Sequence, residues 1–383
     1  MYIIRLLENA IKKAEKSFPA VVITGPRQSG KSTLLEEFLK NKDPGIIKLD
    51  DPQQRALLLD DPYSYLKSIK KPCIIDEIQY YPEVSNYIKI LIDEDRMPGQ
   101  WYITGSQQFS VMKNISESLA GRAAILGLPT FSIMESNITD LEKWLLNSSY
   151  PEIITNPKVD SEIWYSSYLQ TYLDRDVKMI LDIGNLRDFE QCLRLLAART
   201  GQVLNYSEIS GSIGVSVNTI KKWVSVLEAS YILFLLPPYF NNYGKRITKA
   251  PKIYFYDLGL VNYLVGIKNI TFLLNGPMAG AIYETAVISE ILKQKYALGK
   301  KPELYYWRSQ SGIEVDLLLS HDGKIIPIEI KLSSTIKPQF YKNLKYWLEL
   351  SNSEEIACLI TNCNKNILLP GFVKNIYWAN IEF

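Results

Sequence analysis

Gly25-Pro26-Arg27-Gln28-Ser29-Gly30-Lys31-Ser32 is the stretch on which the reading of this chain turns. It follows the apolar run Ala20-Val21-Val22-Ile23 and leads into Thr33-Leu34-Leu35-Glu36-Glu37-Phe38-Leu39, so it reads as strand, loop, helix. Every fixed position fits the P-loop pattern G-x-x-x-x-G-K-[ST], and the flanking strand and helix are the context that pattern needs. Gly25 and Gly30 let the backbone curl until successive N–H groups face phosphate oxygens. The helix N-terminus adds the positive end of its dipole. The expected cradle is Gly25, Pro26, Arg27, Gln28, Ser29, Gly30, Lys31, Ser32 and Thr33, with Lys31 on the β- and γ-phosphates and the Ser32 hydroxyl on Mg²⁺.

Working outward, Gly45-Ile46-Ile47-Lys48-Leu49-Asp50 reads as a second strand. Pro72-Cys73-Ile74-Ile75-Asp76-Glu77 reads as a buried strand that delivers two carboxylates at the ligand edge of a parallel sheet. Asp76 is expected to hold Mg²⁺, mainly through water, and Glu77 to act as the general base on the attacking water. The strand Gln100-Trp101-Tyr102-Ile103-Thr104-Gly105-Ser106 ends in hydroxyls at the same edge, and either Thr104 or Ser106 suits a phosphate-sensing role. Arg122 is a candidate arginine finger, acting within the chain or across the subunit interface of a homo-oligomer. Alternation of helix and strand makes residues 1–135 a doubly wound α/β P-loop domain.

These residues resemble a known family. Gly25 through Ser32, Leu49-Asp50-Asp51-Pro52, Ile75-Asp76-Glu77-Ile78-Gln79, Thr104-Gly105-Ser106, Gly121-Arg122-Ala123 and Pro129-Thr130-Phe131-Ser132-Ile133-Met134-Glu135 are similar to the AAA-type prokaryotic ATPases of the archaeal ATPase group. The resemblance implies an AAA+-like core that binds and hydrolyses ATP. Tyr172-Leu173-Asp174-Arg175-Asp176-Val177 resembles the start of the C-terminal region that usually follows this ATPase, so the likeness spans nearly the whole chain.

Composition bounds the rest. The 383 residues exceed one typical core, so two or three domains are expected. With 43 basic and 41 acidic residues the net charge of +2 favours no polyanionic partner globally. Residues 196–250 nonetheless carry a local excess of positive charge, where phosphate contacts are expected. The four cysteines show no CxxC pair, which argues against a zinc site and for a reducing, cytoplasmic setting. The lone histidine, His321, precedes a turn-forming Asp322-Gly323, so His-dependent triads and His-based metal sites are excluded. No run approaches the about 18 apolar residues of a membrane span, and no signal peptide is expected.

Residues 136–195 read as a helical connector packing on the nucleotide domain, with Asp174-Arg175-Asp176 as a salt-bridged helix face or, alternatively, a contact to the nucleotide. Residues 196–250 read as helix, helix, Gly-containing turn, third helix and strand, the order of a winged helix-turn-helix. Val215-Ser216-Val217-Asn218-Thr219-Ile220 resembles the opening of many recognition helices. In a complex with DNA, Ser216, Asn218, Thr219, Lys221 and Lys222 would enter a major groove, and Lys245, Arg246 and Lys249 in the wing would hold phosphates. A lid or protein-contact role suits the same module.

Residues 251–383 read as an α/β unit of restriction-endonuclease type. An amphipathic helix carries Glu284, a strand carries Asp316, Asp322-Gly323 makes a hairpin, and the next strand carries Glu329-Ile330-Lys331. That is the PD-(D/E)xK nuclease arrangement, although Val315 stands where a proline would precede Asp316. Glu329 and Lys331 share a face by the two-residue strand period. Asp316 and Glu329, completed by Glu284, would bind a divalent metal, and Lys331 would activate water or stabilise the charged phosphorane. The expectation is therefore an ATP-hydrolysing protein acting on DNA. The alternative is a nucleotide-driven switch or scaffold whose last two domains make protein contacts without cleavage.

Overall fold

Ala20–Thr24 (β1) is buried at every position, as a strand covered on both faces must be. A computed structural model, which describes residues 2–105, 117–173, 186–240, 250–365 and 367–383, places it inside a five-stranded sheet. The other strands are Gly45–Lys48 (β2), Cys73–Asp76 (β3), Trp101–Gly105 (β4) and Ala123–Gly127 (β5). The order is β2-β3-β4-β1-β5, every pair parallel. Alternation along β1 splits the core in two. Val21 and Ile23 pack under Glu8–Ala14 (α1) and Lys31–Leu39 (α2), whereas Ala20 and Val22 face Pro52–Asp60 (α3), Pro62–Ser68 (α4) and Val84–Glu94 (α5). Asp51 and Asp61 cap α3 and α4, each ahead of a proline at the first helical position.

After β5 the chain turns helical: Ile133–Ser136 (α6), Leu141–Leu146 (α7), Pro151–Thr155 (α8) and Ser161–Tyr172 (α9). Leu186–Ala198 (α10), Tyr206–Ile213 (α11) and Val217–Ala229 (α12) follow, then Leu233–Leu236 (β6), Lys252–Phe255 (β7) and Leu258–Val265 (α13). β6 and β7 pair antiparallel, and Val203, between α10 and α11, bridges to Lys252. Two expectations are corrected here. The α9 stripe Trp164, Tyr165, Tyr168, Leu169 and Tyr172 shares one core with α10, α12 and α13 rather than packing on the nucleotide sheet. The strand after Pro251 belongs with β6, because its ladder runs there, so the middle unit reaches past residue 250. Asp174-Arg175-Asp176 lies outside the described residues.

The last unit holds Ile270–Asn275 (α14), Ala279–Ala297 (α15), Leu304–Arg308 (β8), Glu314–His321 (β9), Lys324–Lys331 (β10), Lys342–Ser351 (α16), Ala357–Thr361 (β11) and Val373–Tyr377 (β12). The sheet order is β12-β11-β10-β9-β8. β8, β9 and β10 form an antiparallel meander, and β11 and β12 continue it in parallel with β10. Asp322 and Gly323 both take positive φ at the hairpin tip, the turn expected of that dipeptide. α15 covers one face of the sheet and α16 the other. Among the described residues no helix is long and apolar enough to cross a membrane.

Candidate functional site

The P-loop is bent by its glycines. Gly30 takes φ 86° as the N-cap of α2, and Gln28 also lies in the left-handed region. A Cβ on Gly25 would sit 2.1 Å from the carbonyl oxygen of Leu128, so only glycine fits where the loop passes the end of β5. Lys31 is buried, and its Nζ donates to the carbonyls of Gly25 (3.2 Å) and Pro26 (2.8 Å), curling back over the loop it terminates.

Inserting β4 between β1 and β3 puts a hydroxyl beside the acidic strand. Ser32 Oγ donates to Asp76 Oδ1 at 2.7 Å, and Thr104 Oγ1 donates to the same oxygen. The Glu77 N–H donates to Thr104 Oγ1 at 3.1 Å. Glu77 itself takes positive φ, and its carboxylate accepts from Gln79 Nε2. Lys31, Ser32, Asp76, Glu77 and Thr104 are thus brought to one edge of the sheet. Thr104 is the hydroxyl placed on Asp76, whereas Ser106 lies outside the described residues. The donor set suits a magnesium nucleotide: Ser32 and Asp76 converge on one point with hard oxygens, and Lys31 offers an ammonium beside it.

Arg122 is not brought there. It precedes β5, and its carbonyl accepts from Ala20 N at the start of β1, so it lies at the sheet edge opposite the P-loop. Its guanidinium forms a two-pronged pair with Asp93 at 2.7 and 2.8 Å. Strand direction thus sets it away from this chain's own nucleotide edge, where it pairs with Asp93 as a surface arginine.

A second cluster forms in the last unit. The β9–β10 register, with Ile328 opposite Leu317, brings Glu329 alongside Asp316. Lys331 Nζ lies 2.7 Å from Glu329 Oε1 and 3.2 Å from Asp316 Oδ2. Ile330 N also donates to Asp316 Oδ2, at 2.8 Å. Glu284 on α15 accepts from Tyr254 Oη and from Lys252 Nζ at 3.1 Å, and Lys252 also reaches Glu314 at 2.5 Å. Burial, then the nearby Asp316 carboxylate, pushes Glu284 up to about 7 and Glu329 up to about 8. Burial works against the charge of Lys331, but Asp316 and Glu329 outweigh it and hold its pKa above the usual lysine value. Glu329 Oε2 is buried without a hydrogen-bond partner.

Glu284, Asp316 and Glu329 share this cluster, but among the described residues no three Asp, Glu, His or Cys side chains converge to hold an ion. Charge is the reason: the ammonium of Lys331 sits between Asp316 and Glu329, and that of Lys252 draws Glu284 toward Glu314. The orphaned Glu329 oxygen and the hard donors still fit a divalent cation that displaces a lysine. Lys252 and Glu314 were not anticipated, since nothing in spacing ties the middle unit's β7 to this site.

On α12, Asn218, Lys221 and Lys222 are exposed. Ser216 is committed to capping: its Oγ accepts from Thr219 N at 3.1 Å and pairs with Thr219 Oγ1 at 2.8 Å. Lys245 and Arg246 lie outside the described residues, as does Lys249.

The AAA domain family matches residues 17–137, and two domains of unknown function, DUF8612 and DUF4143, match residues 138–271 and 279–379. The uncharacterized proteins Rv2008c of Mycobacterium tuberculosis and Mb2031c of Mycobacterium bovis are each 31% identical over 326 residues, covering 85% of this chain and 73% of theirs. The uncharacterized protein MJ1637 of Methanocaldococcus jannaschii is 22% identical, covering 85% and 78%. Among solved structures, the Walker-type ATPase paby2304 of Pyrococcus abyssi aligns with a TM-score of 0.42 at 15% identity, covering 67% of this chain and 94% of that one. The AAA match spans Lys31, Asp76, Glu77 and Thr104, which the fold gathers at one sheet edge, and the mycobacterial likeness runs through most of both chains. The chain therefore belongs to the same family as these two mycobacterial proteins, and it carries the AAA domain of a P-loop NTPase.

Proposed function

We propose that this NTPase turns over ATP to drive action on DNA, through a winged helix built from α10–α12 and β6–β7 and a PD-(D/E)xK nuclease-like unit built on β8–β11. The observation that carries the reading is the meeting of Asp316, Glu329 and Lys331 on adjacent strands beside Glu284 of a packed helix. In the nucleotide site, Lys31 would leave its loop carbonyls for the β- and γ-phosphates, and Ser32 and Asp76 would hold Mg²⁺. Bound Mg²⁺ would neutralise phosphate charge and fix the triphosphate's orientation. Glu77 takes the proton of the attacking water, and Thr104 keeps Asp76 aligned. Arg122 serves a neighbouring subunit of a homo-oligomer. On DNA, Asn218, Lys221 and Lys222 of α12 face the groove, and Lys245 and Arg246 hold backbone phosphates.

In the C-terminal site Asp316, Glu329 and Glu284 would hold a divalent cation, which would supply Lewis-acid stabilisation of a phosphodiester. Lys331 would then be free to orient water. Incubating supercoiled plasmid with Mg²⁺ or Mn²⁺, with and without ATP, tests this. Nicking by the wild type that Asp316→Ala and Lys331→Ala both lose supports cleavage, while intact plasmid under every metal and nucleotide condition sinks it. One observation favours the second reading, a nucleotide-driven switch without cleavage: Lys252 is engaged with Glu284, and Lys331 with Asp316 and Glu329, the carboxylates that a metal would need.

A further inference from the structure

Arg5 has no part in any motif, yet it is almost fully buried, and its guanidinium joins three segments. Nη1 donates to the Ser29 carbonyl inside the P-loop at 2.9 Å. Nη2 donates to the Pro129 carbonyl at 2.7 Å, and Nε to Glu135 Oε1 at 2.9 Å. The guanidinium also lies over the Phe131 ring, 4.6 Å from its centroid. Residues 129–135 are in turn gripped from the far side by α15. Glu290 Oε2 accepts from Ile133 N at 2.9 Å, and Lys293 Nζ donates to the Phe131 carbonyl at 3.1 Å. Glu290 and Lys293 are both buried. A buried charge is retained only where it is partnered: Arg5 finds its partners in the P-loop and in residues 129–135, and Glu290 and Lys293 reach that same segment from α15.

We infer that Arg5 is a positioning residue of the P-loop and that, through residues 129–135 and α15, it couples the nucleotide state to the C-terminal cluster. The inference rests on nucleotide binding at Lys31. When phosphates draw Lys31 away from the Gly25 and Pro26 carbonyls, the loop rearranges next to Ser29, whose carbonyl Arg5 holds. Displacement at Ser29 is passed by one rigid planar fork to Pro129 and Glu135. The 129–135 segment passes it to Glu290 and Lys293. Glu284 stands six residues before Glu290 on the same helix, about 9 Å along its axis at the usual rise. Lysine cannot replace this arginine, because an ammonium lacks the planar fork that serves two carbonyls and a carboxylate together.

The test uses the full chain with Mg²⁺–ATP as probe and two readouts: calorimetric affinity, and amide hydrogen exchange across α15 with and without nucleotide. Wild type binds ATP and Lys31→Ala does not, which secures the nucleotide site independently. Arg5→Lys is expected to bind about tenfold more weakly and, at saturating ATP, to lose the exchange change over residues 286–295. Lys293→Met, which leaves Arg5 and the P-loop untouched, keeps wild-type affinity but loses the same exchange change. Wild-type affinity in Arg5→Lys overturns the inference. So does an unaltered α15 response in both variants, or a wild type that binds ATP with α15 unresponsive. A wild type that binds ATP no better than Lys31→Ala sinks the nucleotide reading and this coupling with it.

Discussion

Asp76 Oδ1 receives hydrogens from both Ser32 and Thr104, and the backbone N–H of Glu77 anchors Thr104 in turn. The two neighbouring carboxylates therefore sit differently: Asp76 is locked among hydroxyls, while Glu77, on a left-handed backbone, accepts from Gln79. Lys31→Ala is expected to abolish ATP binding in a filter or calorimetric assay. Glu77→Gln is expected to keep binding and slow hydrolysis by roughly a hundredfold or more, the usual worth of a general base. Normal turnover by that variant would remove Glu77 from the role. In the C-terminal cluster pH supplies a separate test. Glu329 is raised from its ordinary value to about 8 by burial and by Asp316. Between the ordinary glutamate range and pH 8 the folded chain binds more protons there than the unfolded one, so this group's stabilisation is complete at low pH and lost as pH rises through 8. Glu329→Gln should melt like the wild type near pH 4.5. By pH 9 it should melt several degrees higher, since the ionised form carries a burial cost on the order of a few kcal/mol. Parallel melting curves across that window would contradict the burial of a charge at Glu329.

The elements around the P-loop follow from short stretches of sequence because their causes are local: an apolar run, a glycine that must curl, a helix that follows. The same holds for β3 and for the Asp322-Gly323 hairpin. Partner choice is not local. Lys252–Phe255 is legible as a strand, but whether it joins the sheet after it or β6 before it depends on the packing of both faces, which alternation alone does not specify. The aromatic stripe of α9 likewise predicts a buried face without naming what buries it. Arg122 illustrates the limit at a site: its segment fits the family pattern, but strand direction decides which sheet edge it occupies. Arg5 and Lys252 had no signal to find, because each acts through a contact more than twenty residues away in sequence. Glycine positions give a test at this scale. Gly25→Ala drives a Cβ onto the Leu128 carbonyl and should destabilise the fold by about 1–3 kcal/mol, as overpacking does. Gly121→Ala has nothing within 4 Å and bears only the left-handed backbone, costing about 1–2 kcal/mol. Urea melts separate them if nucleotide affinity is read alongside: Gly25→Ala should lose both stability and binding, and Gly121→Ala only part of its stability.

Across the whole molecule the cores do not respect a linear order of domains. One cluster unites Ile133, Trp144, Phe234 and Tyr254 with the faces of α15 and the C-terminal sheet, and Trp144 stacks on Trp378 at 4.7 Å. The middle and last units thus pack as one body, and the nucleotide unit meets that body along α1, β5 and residues 129–135. Another contact is Tyr231, which leaves the end of α12 on a left-handed backbone and places its hydroxyl 3.1 Å from Thr24 Oγ1, one residue before the P-loop. Its ring packs against Tyr256 and Tyr296, and the Tyr296 ring lies where a side chain on Gly127 of β5 would fall. On the proposed DNA reading, DNA seated on Asn218, Lys221 and Lys222 would load α12 at its N-terminal end, and the Tyr231–Thr24 hydrogen bond would pass that load to the nucleotide strand. Duplex DNA should therefore change the rate of ATP hydrolysis, and Lys221→Glu with Lys222→Glu should remove the effect by weakening phosphate contacts, with a shallower salt dependence of binding. Tyr231→Phe isolates the link. It deletes one hydroxyl, worth about 1 kcal/mol, and leaves the ring packing in place. Its expected phenotype is basal hydrolysis within about twofold of wild type, unchanged DNA affinity, and loss of the DNA effect on turnover. Retention of the full DNA effect in Tyr231→Phe would mean that the signal crosses elsewhere, for which the Arg5 and α15 contacts offer one route.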